Sequence, residues 1–520
     1  MGFYLNPDNT LFKEAVEREI YVDKTHLIEK VYSHAKKHNK YICFSRPRRF
    51  GKSTDISMLA AYFSKGCKSK EIFDGFNIAH WDGYEEHIND HNVIYLNMQS
   101  FLSETKNVLD MMDYIHDELN AELNSNGEVI SNRRSLADLL KKCYGNKQDR
   151  YIFLIDEWDC VFRECKDDIE AQNEYLNFLR LVFKDQPYVE MVYMTGILPI
   201  KKYGTHSALN MFDEISMVEA NEFSDFMGFT DSEVKSLCDK YDADYEGMRQ
   251  WYDGYHMDNG VSTYSPRSVT ASISSKKFSN YWSQTETFDA LRTYIDLNFD
   301  GLKDTVISLL AGETQMINVR TFQNGMNTFQ YKDDVLTLLV HLGYLGYNYS
   351  ESTVYVPNLE VKDTFVDSIQ VSGWDKVAKI FVDSNDLLAA TWSLDSKKVA
   401  AFIEKSHYET SILQYNDENA LSYTVNLAYI SAREYYTITR ELPAGKGFAD
   451  IVFIPRKGSD KPAMIVELKW DKDADCGIEQ IKDKKYYLGL DDYLDNLLLV
   501  GISYDKDSKK HECVIESFEK

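Results

Sequence analysis

Arg46, Arg48, Arg49, Gly51, Lys52, Ser53 and Thr54 crowd the stretch "SRPRRFGKST", between an apolar run that begins at Tyr41 and the segment "DISMLAAYF". A strand, a glycine-bearing loop and a helix start together make a phosphate cradle. Backbone N–H groups and the helix N-terminus face the anion, the lysine reaches the β/γ-phosphates, and the hydroxyl ligates Mg²⁺. The motif G-x-x-x-x-G-K-[ST] is incomplete here, because Arg46 stands at the first glycine position. The loop needs another way to turn, and Pro47 supplies one by fixing its own φ. The competing reading is a basic loop that merely contains Gly-Lys-Ser.

A second cluster follows about a hundred positions later. "RYIFLIDEWD" runs apolar from Tyr151 to Ile155 and then presents Asp156, Glu157 and Asp159. Continuous apolar runs are typical of buried parallel strands, and ligands bind at the carboxyl ends of such strands. Asp156 is placed to hold Mg²⁺ through water and Glu157 to polarise an attacking water. A further strand, "VEMVYMTGIL", carries Thr195 near its end, between the two phosphate-side elements; a strand-end threonine satisfying backbone is the equal alternative. Lys201 and Lys202 follow as candidate cations. The nucleotide set is therefore Arg46, Arg49, Gly51, Lys52, Ser53, Thr54, Asp156 and Thr195, with Glu157 catalytic and Ser53 and Asp156 on the metal.

A third constellation lies near the C-terminus. The turn "PRKGSDKP" is centred between Gly458 and Ser459, so counting outward pairs Asp450 with Glu467. Directly opposed residues are about 4.5–5.5 Å apart at Cβ. Two such carboxylates can share one divalent cation. Lys469, two residues beyond Glu467, falls on the same face. Two acids and an amine can bind a metal, lower the pKa of its water and stabilise charge on an attacked phosphate. A solvated hairpin face is the alternative, but Glu467 and Lys469 interrupt a strand of Ile465, Val466 and Leu468. Without a metal the facing carboxylates repel, and one keeps its proton to a raised pH.

The elements that must position these groups follow from periodicity. Val22, Leu27, Ile28 and Val31 mark one face of a short helix ahead of the Tyr41 strand, Asn92–Ser100 reads as a strand, and Val108, Met111, Met112, Ile115 and Leu119 mark a helix. Alternating strands and helices imply a parallel α/β sheet. From Gly228 to Val269 the pattern is helical and holds "WYDGYH" and "YSPRSV", read either as a packed aromatic turn or as a lid over a nucleotide. "VLTLLVHLGYLGYNYSESTVYVPN" is a helix running into a hairpin, and the last 115 residues read αβββαβ. The expected organisation is a P-loop domain at 1–225, a helical lid at 226–285, a helical or winged connector at 286–375 and a restriction-endonuclease-like domain at 376–520.

Composition narrows the classes. With 58 basic and 83 acidic residues among 520, the net charge is −25, unlike proteins that coat nucleic acid. Eight cysteines form no C-x-x-C pair, which points to scattered thiols in a reducing compartment rather than to disulfides or zinc. No stretch of 18 apolar residues is present to span a bilayer, so a cytoplasmic location without membrane partners is expected.

Taken in order, "YVDKTHLI", "SRPRRFGKST", "LIDEWD", "TGILPI", "WYDGYH", "YSPRSV" and "GFADIVF…VELKW…EQIKDKKY" resemble, nearly end to end, the bacterial proteins that pair an AAA-ATPase-like domain with a C-terminal PD-(D/E)XK nuclease domain. The arginine-bearing loop is usual there; Trp158 replaces a common tyrosine, and the Gln480-to-Tyr486 spacing is longer than in some nuclease relatives. The resemblance implies ATP and Mg²⁺ at Lys52, Ser53, Asp156 and Glu157, a Walker A and Walker B pair. It implies a nuclease triad of Asp450, Glu467 and Lys469 on Mg²⁺ or Mn²⁺, with Glu418 as an extra acidic ligand and Gln480 facing the site. The expected activity is an ATP-gated nuclease acting on DNA, in phage defence or mobile-element biology. The alternative is a nucleotide-dependent switch or signalling ATPase whose nuclease-like domain only binds nucleic acid or protein. A homo-oligomer is left open.

Overall fold

The computed structural model describes residues 2–125, 135–200, 209–282, 301–310, 312–322, 329, 331–371, 375–409, 418–456 and 459–518. They pack as two compact units, 1–294 with 314–364 and 295–313 with 365–520. The four-part division at 225, 285 and 375 is finer than this grouping, which does not decide it.

The first unit is built on a parallel sheet of β1 (Tyr41–Ser45), β2 (Asn92–Asn97), β3 (Tyr151–Asp156), β4 (Val189–Gly196) and β5 (Asp213–Ser216), in the order β2-β3-β4-β1-β5. Every residue of β1 and β3 is buried, as their unbroken apolar runs require of a sheet covered on both faces. The order inserts β4 between β1 and β3, so Thr195 stands between the two phosphate-side strands. Two expectations are corrected here, and one strand is new. The strand from Asn92 stops at Asn97, whose side chain caps the helix Met98–Ser103 by accepting from the Ser100 N–H. Val22 lies before the first expected helix, which is His26–Lys37. The short edge strand β5, with two acids in four residues, lacked an apolar run to betray it.

Residues 228–275 are not helical throughout. Phe229–Thr230 (β6), Tyr255–His256 (β7) and Ser262–Tyr264 (β8) form a small antiparallel sheet among the helices Asp231–Tyr241, Tyr245–Tyr252 and Pro266–Ser275. Val234, Leu237, Met248, Tyr252, Tyr264 and Val269 make its core. "WYDGYH" is a packed turn. Gly254, at φ +112, lies where a Cβ would stand 2.1 Å from the Pro357 carbonyl, and Tyr255 Oη donates to Gly343 O at 2.7 Å. The helix Lys332–Leu342 does run into a hairpin, Gly346–Asn348 (β10) and Thr353–Tyr355 (β11), which Gln315–Met316 (β9) extends to three strands.

The second unit carries a mixed sheet, β12 (Tyr436–Ala444), β13 (Gly447–Pro455), β14 (Ala463–Trp470), β15 (Leu497–Asp505) and β16 (Lys510–Ser517), in sequence order. Only β14 and β15 pair in parallel; the helix Asp475–Lys484 makes their crossover. The expected αβββαβ pattern is present, and β16 continues it. The helices Asp375–Trp392, Ser396–Glu409 and Glu418–Ala428 supply Leu387, Val399 and Leu421 to one core with Ile451, Val466 and Val500. Ile478 and Ile481 of the crossover helix pack with Val452, Ile465 and Leu499 in another.

One buried carboxylate ties the first unit together away from its sheet. Glu360 Oε1 accepts from the Tyr281 and Trp282 N–H groups at 2.7 and 3.0 Å, and Oε2 bonds Ser268 Oγ at 2.7 Å. Burial pushes this acid up to about 7. The folded state therefore holds its proton more tightly than the unfolded one. Its contribution is complete below about pH 4.5, declines as pH rises, and is lost through pH 7, about 3 kcal/mol in all. Glu360→Gln imitates the protonated acid. Thermal unfolding at pH 5 and pH 8 should show the variant losing less stability than the parent; parallel profiles would refute this linkage.

Candidate functional site

The loop after β1 turns through Arg49 at φ +68 and Gly51 at φ +87, and the helix Lys52–Phe63 begins at once. A Cβ on Gly51 would meet nothing within 4 Å, so the loop borders open space. That space is a cleft of about 1580 Å³ which Arg49, Gly51, Lys52, Ser53, Thr54, Asp156 and Glu157 line together. Lys52 is buried, donates to Arg46 O at 2.9 Å and Pro47 O at 2.8 Å, and is lowered to about 8 by that burial. Ser53 is exposed and Thr54 half-buried.

Across the cleft, Asp156 Oδ1 accepts from Thr195 Oγ1 at 2.7 Å and from the Glu157 N–H at 3.1 Å. Thr195 thus orients the carboxylate expected to face the metal. Glu157 takes a left-handed backbone, φ +54, and its Oε2 accepts from Arg163 Nη2 at 2.5 Å. Burial raises its pKa against the opposing pull of Lys52 and Arg163. Asp159 serves the scaffold: its Oδ2 accepts from the Ile197 and Leu198 N–H groups at 3.1 and 2.9 Å, fixing the exit from β4.

Arg46 lines the same cleft, but its side chain is also committed to the fold. Its guanidinium is 1% exposed, ion-pairs with Asp55 of the following helix, and donates to the Phe226 carbonyl. Other cleft residues escaped sequence reading because they come from distant segments: Asn97 at the end of β2 and Gln99 after it, Arg163 after β3, and Arg267 in "YSPRSV". Only their positions after strand ends or at a helix start hinted at them. The lid reading gains from Pro266, Arg267, Thr270 and Ala271, which line the same cleft. Lys201 and Lys202 lie outside the described residues.

In the second unit the paired rungs Phe453↔Met464, Val452↔Ile465 and Ile451↔Val466 carry the expected register, which sets Asp450 against Glu467 one step further. There the ladder yields to a side chain: Asp450 Oδ2 accepts from the Leu468 N–H at 2.7 Å. Glu467 is 1% exposed. Its Oε1 accepts from Lys469 Nζ at 2.9 Å and from Gln480 Nε2, and Gln480 also reaches Tyr486 Oη at 3.1 Å. Tyr486 is the member sequence reading left unassigned. Burial first, then the charge of Asp450, pushes Glu467 up to about 7 against the pull of Lys469.

Glu467 Oε2 is buried and makes no hydrogen bond. An orphaned carboxylate oxygen beside a second carboxylate is costly unless a cation faces it, so the donor set fits a divalent metal. Among the described residues no group of three or more His, Cys, Asp or Glu side chains is set to hold one. Two carboxylates completed by water and phosphate suit Mg²⁺, which keeps several waters. Glu418 opens the helix Glu418–Ala428, but its side chain lies outside the described residues.

The family model described as a predicted AAA-ATPase matches residues 11–205, and that of the PD-(D/E)XK nuclease superfamily matches 417–513. The chain joins an AAA-ATPase-like domain to a PD-(D/E)XK nuclease-superfamily domain. A curated relative, an uncharacterized protein in the vnfD 5' region of Azotobacter chroococcum mcd 1, is 26% identical over 281 residues, 51% of each sequence. The match thus spans about half the length of that relative. Among solved structures, the Walker-type ATPase PABY2304 of Pyrococcus abyssi is 10% identical, covering 66% of this chain and 95% of that one, with a TM-score of 0.34. The Aeropyrum pernix ORC2 protein is also 10% identical, covering 68% and 97%, with a TM-score of 0.29. Likeness at that level is slight. Among the described residues of both domains no helix is long and apolar enough to cross a membrane.

The Arg46–Asp55 pair separates a scaffold role from phosphate binding in the ATPase-like domain. Arg46→Ala leaves Asp55 without its partner and should cost about 3–5 kcal/mol in denaturant unfolding. A variant of parental stability that has lost nucleotide affinity would return Arg46 to the phosphates.

Proposed function

We propose that this protein binds and hydrolyses ATP and cuts DNA in a Mg²⁺-dependent reaction, the nucleotide state of the ATPase-like domain governing the nuclease-like one. The observation that carries the nuclease half is Glu467, a buried acid with one free oxygen, set beside Asp450 and Lys469 in an apolar strand. Burying such groups without a task costs stability.

Asp450 and Glu467 would hold the divalent cation, Mg²⁺ or Mn²⁺, which when bound lowers the pKa of water and offsets charge on phosphate oxygens. Lys469 would set its side-chain amine beside the phosphodiester where negative charge develops. Gln480 holds the Glu467 carboxylate in place, and Tyr486 holds Gln480. Asp450, tied to the Leu468 N–H, keeps its carboxylate on the same side of the sheet end.

In the nucleotide cleft, Lys52 would exchange its two loop carbonyls for β/γ-phosphate oxygens, and the N-terminus of its helix would face the same anion. Ser53 and Asp156 would take the Mg²⁺ that accompanies ATP, with Thr195 orienting Asp156. Glu157, once released from Arg163, would orient the water that attacks the γ-phosphate.

The test is plasmid cleavage with Mg²⁺ and ATP, read on a gel beside a phosphate-release assay. Glu467→Ala should lower cleavage about 10²–10³-fold and leave ATP turnover intact. Lys52→Ala should abolish ATP turnover and, if the domains are coupled, cleavage as well. Cleavage that survives EDTA or Glu467→Ala would sink the nuclease half. Cutting that persists in Lys52→Ala would sink the coupling.

A further inference from the structure

The tip of the β12–β13 hairpin adjoins the carboxylate site and shows more than a turn needs. Phe448 is 61% exposed and lies two residues before Asp450, about 7 Å along the strand. Lys446 in the turn and Lys484 and Lys485 at the end of the crossover helix are exposed too. Among the described residues no carboxylate pairs with any of these three ammonium groups.

The tip is fixed rather than loose. The Lys446 N–H donates to Lys484 O at 2.8 Å. Gly445, at φ +54, comes so near the helix end that a Cβ would stand 2.1 Å from Lys484 O and 2.4 Å from Lys485 O. Only glycine permits that approach. A Cβ on Gly447 would stand 3.1 Å from Tyr486 Oη, the group that holds Gln480 and through it Glu467. The exposed ring, the lysines and the carboxylates are therefore held in one frame.

We propose that this tip is a platform for a single strand of nucleic acid: an unpaired base stacks on Phe448, and Lys446, Lys484 and Lys485 meet the neighbouring phosphates. The inference rests on the nuclease reading, since the strand is the one whose phosphodiester reaches Asp450 and Glu467. Inside a duplex both faces of a base are covered by its neighbours, so a protein ring takes a base that is unpaired or at an end. Every base has a π-face, so the platform selects the unpaired state and not a sequence. In a chain of net charge −25, the exposed lysines at the tip would provide attraction that the whole molecule lacks.

The experiment uses the full chain and a fluorescent oligothymidylate, with anisotropy read in EDTA and cleavage read in Mg²⁺, beside a blunt duplex. Phe448→Ala should weaken single-strand binding about 5- to 100-fold and leave duplex binding within about 2-fold; Phe448→Trp should retain both. Each of Lys446→Ala and Lys485→Ala should reduce the salt slope of single-strand binding by about 0.7. Since Phe448 is exposed, its replacement should leave thermal unfolding unchanged. If Phe448→Ala binds and cuts single strands as the parent does, the platform is wrong while the nuclease reading stands. Equal loss on duplex and single strand would also overturn stacking. A parent that binds and cuts no nucleic acid overturns the nuclease reading, and the platform with it.

Discussion

Arg46 occupies the place where a phosphate loop more often has glycine, and its guanidinium, buried and paired with Asp55, ties that loop to the helix that follows it. The constraint reaches both ways along the chain. Asp55 lies in the first turn of the helix Lys52–Phe63, so the pair fixes where that helix starts relative to the end of β1. The bond to Phe226 O adds the segment that precedes the small β6-β8-β7 sheet. A buried pair of this kind is weak evidence for net stability, because desolvation offsets most of the attraction. What it does provide is a single arrangement: removing either partner strands a charge, so the loop has no cheap alternative shape. Glycine would have left that loop free to turn, and arginine instead specifies the turn.

The nuclease-like domain meets the same problem with opposite chemistry. All but the last residue of β14 is buried, and most of its side chains are apolar, yet it carries Glu467 and Lys469. Each apolar neighbour contributes about 1.5–3 kcal/mol by burial, enough to hold two ill-suited groups in a dry place. Lys469 and Gln480 both engage Glu467 Oε1, and Oε2 is left bare. The network is thus satisfied on one side only. A half-satisfied polar network is what a fold avoids unless a ligand completes it.

Much of this was legible beforehand, for identifiable reasons. The strands at Tyr41 and Tyr151 announce themselves because burial on both faces demands an unbroken apolar run. The opposition of Asp450 and Glu467 follows from counting outward from one turn, since antiparallel register is local arithmetic. What stayed hidden depends on partners far away in sequence. β5 and the two-residue strands β6 and β7 exist because neighbours pair with them, not because Asp213–Ser216 or Tyr255–His256 prefer extension. Arg46 read as one more cation of a basic loop, because nothing local shows that Asp55 and Phe226 would bury it. Arg163 was missed likewise, and Tyr486 was noted only for its spacing from Gln480: their contacts with Glu157 and Gln480 belong to the folded site.

The charge of the chain bears on how any polyanion approaches it. A net −25 sets up a field that repels nucleic acid, but exposed charges are screened beyond about 8–10 Å at physiological salt. Inside that distance the local inventory decides. At the end of β14 it comprises Lys469 and a pair of carboxylates whose charge a divalent cation would neutralise, with exposed lysines at the adjoining hairpin tip. Attraction for a polyanion would therefore be short-ranged and, at the carboxylates, conditional on the ion. With the cation absent, Asp450 and Glu467 add to the repulsion, and the raised pKa of Glu467 is the partial relief available to them. With it present, the same two side chains would, on the proposed reading, become the point of attachment. On the proposed reading, an acidic protein would in this way act on an acidic polymer without coating it, holding the strand only where the chemistry takes place.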